Sequence, residues 1–226
     1  MLVPIAAALT TDQVAQCRQA LAGIDWVDGR ATAGHLSMPV KQNEQISEDH
    51  PVGRRLGQML LDVLGRNPLF VSAALPARIV PPLFNRYAEG QSYGPHIDGS
   101  VRPMPDAPLR VRTDLAATLF LSDADAYDGG ELVIDDTFGP QRVKLAAGSL
   151  ILYPASSVHH VTPVTRGVRL ASFFWIQSMV RHDHRRRMLF DLDLTVQRLR
   201  RDVPQHSAIL ELTALYHNLM REWADV

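Results

Sequence analysis

His96 and Asp98 stand two residues apart in the stretch Tyr93-Gly94-Pro95-His96-Ile97-Asp98-Gly99. Residues i and i+2 of a β-strand share a face, so an imidazole and a carboxylate at such a strand's end point together. One more histidine completes a 2-His-1-carboxylate set, the donor arrangement of non-haem Fe(II) oxygenases. The pair alone is weak, because chance H-x-D spacings on surface loops are common. The third donor belongs on a later strand, and Tyr153 to Val164 carries the candidates. His159 is the choice; His160 competes, and points to the opposite face if both lie on a strand. His35, His50, His182, His184, His206 and His217 fall in expected loops or helices without a spaced partner and read as surface or satisfied side chains.

The chain also offers a cation for a dicarboxylic co-substrate. Thr165-Arg166-Gly167 reads as a three-residue hairpin loop with glycine in the left-handed position. In that register 164 faces 168, 163 faces 169 and 159 faces 173. Arg169 then points into the same interior as His159, and Arg166 is solvated in the turn. A guanidinium fork takes a carboxylate bidentately, while the metal takes the keto acid's other end. Tyr87 can donate a phenolic hydrogen bond to the same carboxylate, or it packs in the core.

These side chains need a rigid scaffold, and the period of the sequence changes twice along the chain. A first helix is capped by Thr10 or Thr11, has Val14, Cys17, Ala20 and Leu21 at helical spacing, and stops at Gly23. Asp28-Gly29 suggests a hairpin-type turn, followed by a polar loop through Gln45. A second helix over 48–65 presents Val52, Leu56, Met59, Leu60, Val63 and Leu64, and Asn67-Pro68 ends it. Short β-type runs follow at 69–75, 78–88, 93–98, 113–121, 131–135, 141–145, 149–153, 158–164 and 168–177. Helices followed by a block of strands predict an α+β fold, specifically a double-stranded jelly roll. Two further helices are expected on either side of Pro204. The domain reading is 1–77 for N-terminal helices and supporting strands, 78–178 for the jelly-roll core and 179–226 for a C-terminal helical extension.

At 226 residues with 46% hydrophobic content the chain can bury a sizeable core. A net charge of −1 supplies no global field for nucleic acid or an anionic membrane. The Arg181-His182-Asp183-His184-Arg185-Arg186-Arg187 run reads as a solvated or interface face, since aromatic interleaving is missing. The single cysteine, Cys17, excludes an intramolecular disulfide framework and a multi-thiolate zinc site, which fits a reducing cytoplasm. The apolar start, Met1 to Leu9, lacks a basic n-region and does not read as a signal peptide. The apolar content around Pro204 predicts self-association through the C-terminal helices into a homo-oligomer, expected as a dimer.

Four segments together resemble the bacterial PKHD-type hydroxylases: Asn85-Arg86-Tyr87 to Gly90, Tyr93 to Arg102, Tyr153 to His159, and Val161 to Gly167 with Arg169. The resemblance covers nearly the whole chain. It implies a double-stranded β-helix, iron at His96, Asp98 and His159, and 2-oxoglutarate at Arg169. It further implies a dioxygenase that turns 2-oxoglutarate and O2 into succinate and CO2 while oxidising a substrate C–H bond, with L-ascorbate (vitamin C) as reductant. Some members are described as iron-uptake factors. In that family an acidic residue commonly follows the distal histidine; here it is His160. "Prolyl" in the family name describes domain similarity and does not identify a substrate. The rival reading is a non-catalytic metal-binding jelly roll acting in iron sensing or handling, which would need no dicarboxylate clamp.

Overall fold

The computed structural model describes every residue except Leu36, Asp106 and Val226. Two antiparallel sheets face one another in an α+β double-stranded β-helix. The larger has eight strands, ordered Val3–Ile5, Leu150–Pro154, Leu115–Phe120, Arg169–Ser178, Leu83–Tyr87, Glu44–Gln45 and Val27–Asp28, with Pro76–Ile79 also paired to Arg169–Ser178. The smaller has five: Gly139–Val143, Leu132–Asp136, His159–Val161, Ser92–His96 and Lys41–Gln42.

The central strands of the larger sheet are mostly apolar and almost wholly buried, and Leu115–Phe120 is buried at every position. Both faces are covered, so neither needs to alternate with polar residues. Ala117, Leu119, Phe174 and Ile176 point outward into a core shared with three helices, α1 (Thr11–Leu21), α2 (Pro51–Leu64) and α3 (Pro68–Ala74). Ala116, Phe120, Tyr153 and Trp175 point inward, into the core between the sheets. Each fully buried side chain of this size, such as Phe174, stabilises the fold by roughly 2 to 3 kcal/mol. This double cover holds the inner face rigid.

Local chemistry sets the helix ends. Thr10 Oγ1 accepts from the Gln13 backbone N–H at 3.2 Å, and Gln13 Oε1 accepts from the Thr10 N–H at 2.9 Å, a capping box that starts α1. Residues 68–74 are helical, where the β-type run at 69–75 predicts a strand. The Asn67 side chain accepts from the Phe70 N–H at 3.1 Å, and Pro68 pre-sets the first turn, so the dipeptide that closes α2 also opens α3. The expected strand over 78–88 is two strands, because neither Pro81 nor Pro82 has an N–H to give a ladder. Asp28-Gly29 makes no hairpin. Asp28 instead accepts from the Arg30 N–H at 2.9 Å and caps a 3-10 turn over Gly29–Thr32. The polar stretch after it contains short strands at Lys41–Gln42 and Glu44–Gln45.

The C-terminal helices are α4 (Asp183–Asp202) and α5 (Ala208–Trp223). Leu189 of α4 packs with Leu75 and Val180, and Tyr216, Leu219, Met220 and Trp223 close over them. Ser72 of α3 donates to Asp193 at 2.6 Å, tying the pair to the body of the fold. The arginine run is not simply solvated. Arg186 is 2% exposed and donates to the carbonyls of Val180 and Arg181, so it closes the junction between sheet and helix. Among the described residues no helix is long and apolar enough to cross a membrane.

Candidate active site

The Ser92–His96 strand lies beside His159–Val161 with His96 opposite His159, and the pairing slips by one residue before Val161 meets Tyr93. Gly94-Pro95 holds the extra residue, a bulge of the kind that re-aims side chains next to a site. The strand ends at His96, short of the expected 98, so alternation does not account for Asp98. The chain leaves the sheet through exposed Ile97 and turns the carboxylate back: Asp98 Oδ2 lies 3.8 Å from His159 Nε2. The rings of His96 and His159 have centroids 4.2 Å apart. One donor atom from each of His96, Asp98 and His159 lies within 4.8 Å of the other two, so the three could hold a metal ion.

Backbone carbonyls orient both rings. His96 Nδ1 meets Gly94 O at 2.9 Å and His159 Nδ1 meets Ser157 O at 3.0 Å. A carbonyl only accepts, so each Nδ1 carries a hydrogen, and in the neutral ring Nε2 is the nitrogen with the lone pair. Burial, reinforced by the neighbouring His159, holds the His96 pKa down to about 3. At neutral pH that ring is therefore the neutral form a metal requires. Tyr93 stacks on His96 at 3.6 Å between centroids, and Tyr153 meets His159 edge-on at 5.1 Å. His160 takes the alternate position of the same strand, opposite Val133, and is not among the converging donors. His50 and His206 accept hydrogen bonds from the backbone N–H groups of Val52 and Ala208, the ordinary work of a turn or cap.

Arg169 enters from the other sheet, and the expected hairpin is absent. Val164–Gly167 pairs with Tyr127–Gly129, whereas Arg169–Ser178 pairs with Leu115–Phe120 and Leu83–Tyr87. Gly167 does take a left-handed φ of 75°, but there the chain crosses between sheets; a β-carbon would sit 2.3 Å from the Ala126 carbonyl oxygen. His159 and Arg169 share an interior because two sheets face each other, not because their strands pair. Arg166 is exposed and pairs with Asp128 at 2.7 Å.

Arg169 is 2% exposed, makes no ion pair with any described carboxylate, and leaves its Nε without a hydrogen-bond partner. An unpaired buried cation is costly. Two ring faces offset part of that cost, with the guanidinium carbon 5.2 Å from the Tyr87 centroid and 5.4 Å from that of Phe120. Tyr87 is the direct cross-strand neighbour of Arg169. Burial pushes its pKa up to about 12 against the pull of the Arg169 charge, so the phenol remains a donor. Buried Tyr127 also turns its hydroxyl toward Arg169. Gly130, at φ 61°, leaves the space for this group: a β-carbon there would lie 2.9 Å from the Tyr127 ring and 3.2 Å from Arg169 Cδ.

Residues 82–177 match the 2OG-Fe(II) oxygenase superfamily, and residues 183–225 match the PKHD-type hydroxylase C-terminal domain. A PKHD-type hydroxylase of Bordetella pertussis (strain Tohama I) is 54% identical over 226 residues, covering 100% of both chains. The chain belongs to the PKHD-type hydroxylases. A second relative, from Xanthomonas campestris pv. campestris (strain B100), is 56% identical over 228 residues, again covering 100% of both. The protein is thus an oxidoreductase of the dioxygenase class, in a family that uses Fe(II) and 2-oxoglutarate. Two solved structures share the fold. A Pseudomonas putida prolyl-4-hydroxylase has a TM-score of 0.53 at 20% identity, covering 78% of this chain and 92% of that one. HygX from Streptomyces hygroscopicus, with nickel, 2-oxoglutarate and hygromycin B bound, has a TM-score of 0.56 at 16% identity, covering 78% and 82%.

The cavity of this PKHD-type hydroxylase occupies about 740 Å³ including its open mouth, and it contains both the three donors and Arg169. Lys41, Arg102, Asn85, Gln45 and Tyr153 also line it; none of them has a role assigned from sequence, although Asn85, Arg102 and Tyr153 stand in the segments that resemble the family. For Asn85 the clue was available, since it stands two residues before Tyr87 on one strand and must share its face. For Lys41 there was none, because two-residue strands carry no periodicity. Its position depends on Gly94: a β-carbon there would come 2.8 Å from Val40 Cβ, so glycine lets the Met38–Val40 turn lie against the histidine strand.

Proposed function

We propose that His96, Asp98 and His159 hold the Fe(II), and that Arg169, assisted by Tyr87, takes the far carboxylate of 2-oxoglutarate. The observation that carries this reading is the meeting in one cavity of three convergent donors and a buried guanidinium that pairs with no described carboxylate. The donor set suits a divalent iron that needs open positions, and the planar fork suits a carboxylate. When bound, iron and 2-oxoglutarate supply the oxidising chemistry, with O2 consumed, succinate and CO2 formed and a substrate C–H bond hydroxylated.

The residues of the chain do the positioning. His96 and His159 present Nε2 because Gly94 and Ser157 hold the opposite nitrogens. Arg169 and Tyr87 orient the dicarboxylate from the facing sheet, and Tyr93 and Tyr153 wall the imidazoles from water. L-ascorbate is the reductant that would keep the iron Fe(II), the cytoplasm is the compartment that a lone buried Cys17 fits, and iron uptake is the process in which we place the enzyme.

Anaerobic addition of Fe(II) and 2-oxoglutarate to the purified protein is expected to give a visible metal-to-ligand charge-transfer band. Admission of O2 should bleach it with formation of succinate. A protein that binds iron yet gives neither band nor succinate would be the metal-handling jelly roll instead. We also assign the exposed face of the C-terminal helices, where Leu210 is 76% and Leu215 47% exposed, to contact between two copies. Light scattering should report a dimer, and a monomeric mass at micromolar concentration would remove this assignment.

A further inference from the structure

Lys41 is 4% exposed, yet its ammonium has one hydrogen bond, to Thr32 Oγ1 at 2.9 Å, and no ion pair with any described carboxylate. It sits 5.2 Å from the centroid of Tyr93 and 5.9 Å from that of Phe173. Arg102 lies on the Trp175 ring at 3.9 Å, and the carboxylate that faces it, Glu48, is 3.9 Å away and 43% exposed. Both cations line the cavity that holds the three donors and Arg169.

The charges in this cavity do not balance. Among the described residues, Lys41, Arg102 and Arg169 face one inner carboxylate, Asp98, with Glu48 outside the lining. A divalent metal and a dicarboxylate cancel one another on entering, so the surplus of cations persists in the loaded site. Lys41 feels this surplus: burial first, and then the charge of Arg102, hold its pKa down to about 8. Burial likewise lowers that of Arg102. Two mutually repelling, partly desolvated cations beside aromatic walls form a site for an anion with an apolar body.

We propose that the primary substrate carries an anionic oxygen group, a carboxylate or a phosphate, which Lys41 and Arg102 bind at the mouth of the cavity while its apolar part lies against Tyr93 and Trp175. This rests on Fe(II) and 2-oxoglutarate occupying the inner site through His96, Asp98, His159 and Arg169. The charge-transfer band tests that assumption separately from the proposal.

The probes are benzoate, phenyl phosphate and neutral benzamide, titrated anaerobically at fixed ionic strength into protein saturated with Fe(II) and 2-oxoglutarate. Melting temperature and the charge-transfer band are the readouts. Either anion should raise the melting temperature saturably and perturb the band, with benzamide inert; a response to benzoate alone identifies a carboxylate substrate, and to phenyl phosphate alone a phosphate one. Lys41→Met, which keeps the apolar stem, and Arg102→Gln should each weaken the anion by about tenfold while moving the 2-oxoglutarate titration less than about threefold. Arg102→Lys should recover part of the loss, because charge returns without the planar contact to Trp175.

Equal responses to the anions and benzamide, or unchanged anion affinity in Lys41→Met and Arg102→Gln, would overturn the proposal. So would a Lys41→Met variant whose 2-oxoglutarate requirement rises as steeply as that of Arg169→Ala, since Lys41 would then serve the co-substrate. Loss of the band in unaltered protein would instead defeat the reading of the inner site.

Discussion

His159→Ala should lose most of its iron, whereas His160→Ala, one residue along, should keep it. The two side chains occupy alternate positions on a three-residue strand, and the pairings of His159 with His96 and of His160 with Val133 set which one meets Asp98. Removal of one of three protein donors is expected to weaken Fe(II) by more than the ~10- to 100-fold typical of losing a supporting contact. Asp98→Ala should behave like His159→Ala and abolish the charge-transfer band. Metal content after anaerobic gel filtration decides the matter, with far-UV circular dichroism confirming that each variant is folded. Iron retained without His159 and lost without His160 would mean that the strand is displaced by one residue, which turns every side chain on it to the other face. His160 stands where an acidic residue is commonly found in the family, so His160→Asp should also retain iron.

The parts of this fold that could be read in sequence are those where local chemistry and tertiary packing agree. Thr10 with Gln13, and the stripe Leu56, Leu60 and Leu64, announce α1 and α2 because cap and buried face coincide there. His96, His159 and Arg169 were legible because few residue types perform their chemistry. Failures came where packing overrode local pattern. Leu69-Phe70-Val71 has the composition of a strand, but Asn67 caps it and the outer core accepts Phe70 as part of a helix. Thr165-Arg166-Gly167 has the turn chemistry of a hairpin, yet positive φ at Gly167 serves equally to cross between sheets. Lys41 gave no warning, since a cation's lack of a carboxylate partner exists only in three dimensions, and the place of Arg102 beside it in the cavity is likewise a product of the fold.

Arg169→Ala should raise the 2-oxoglutarate requirement by about 100-fold, because two charge-assisted hydrogen bonds are removed and each contributes roughly 1.5 to 3 kcal/mol before the cost of desolvation. Metal affinity should hardly change, since no donor to the metal is touched. Arg169→Lys should recover only part, as an ammonium restores the charge but not the fork. Stability offers a second, independent readout. Among the described residues Arg169 is buried with an unsatisfied Nε and no counter-charge, so the ligand-free protein carries the penalty of an isolated cation that 2-oxoglutarate would relieve. At a 2-oxoglutarate concentration 100 times its dissociation constant, the unaltered protein should gain ~2.7 kcal/mol, and a variant binding 100-fold more weakly only ~0.4 kcal/mol at the same concentration. The melting-temperature increment on adding 2-oxoglutarate to the iron-loaded protein should therefore nearly vanish in Arg169→Ala. Ligand-free Arg169→Ala should lose less stability than the side chain's size suggests, because the deletion also removes the stranded charge. An undiminished increment in Arg169→Ala would show that another cation of the cavity holds the co-substrate. Lys41, the one other fully buried cation lining that cavity among the described residues, would then be the residue to replace next.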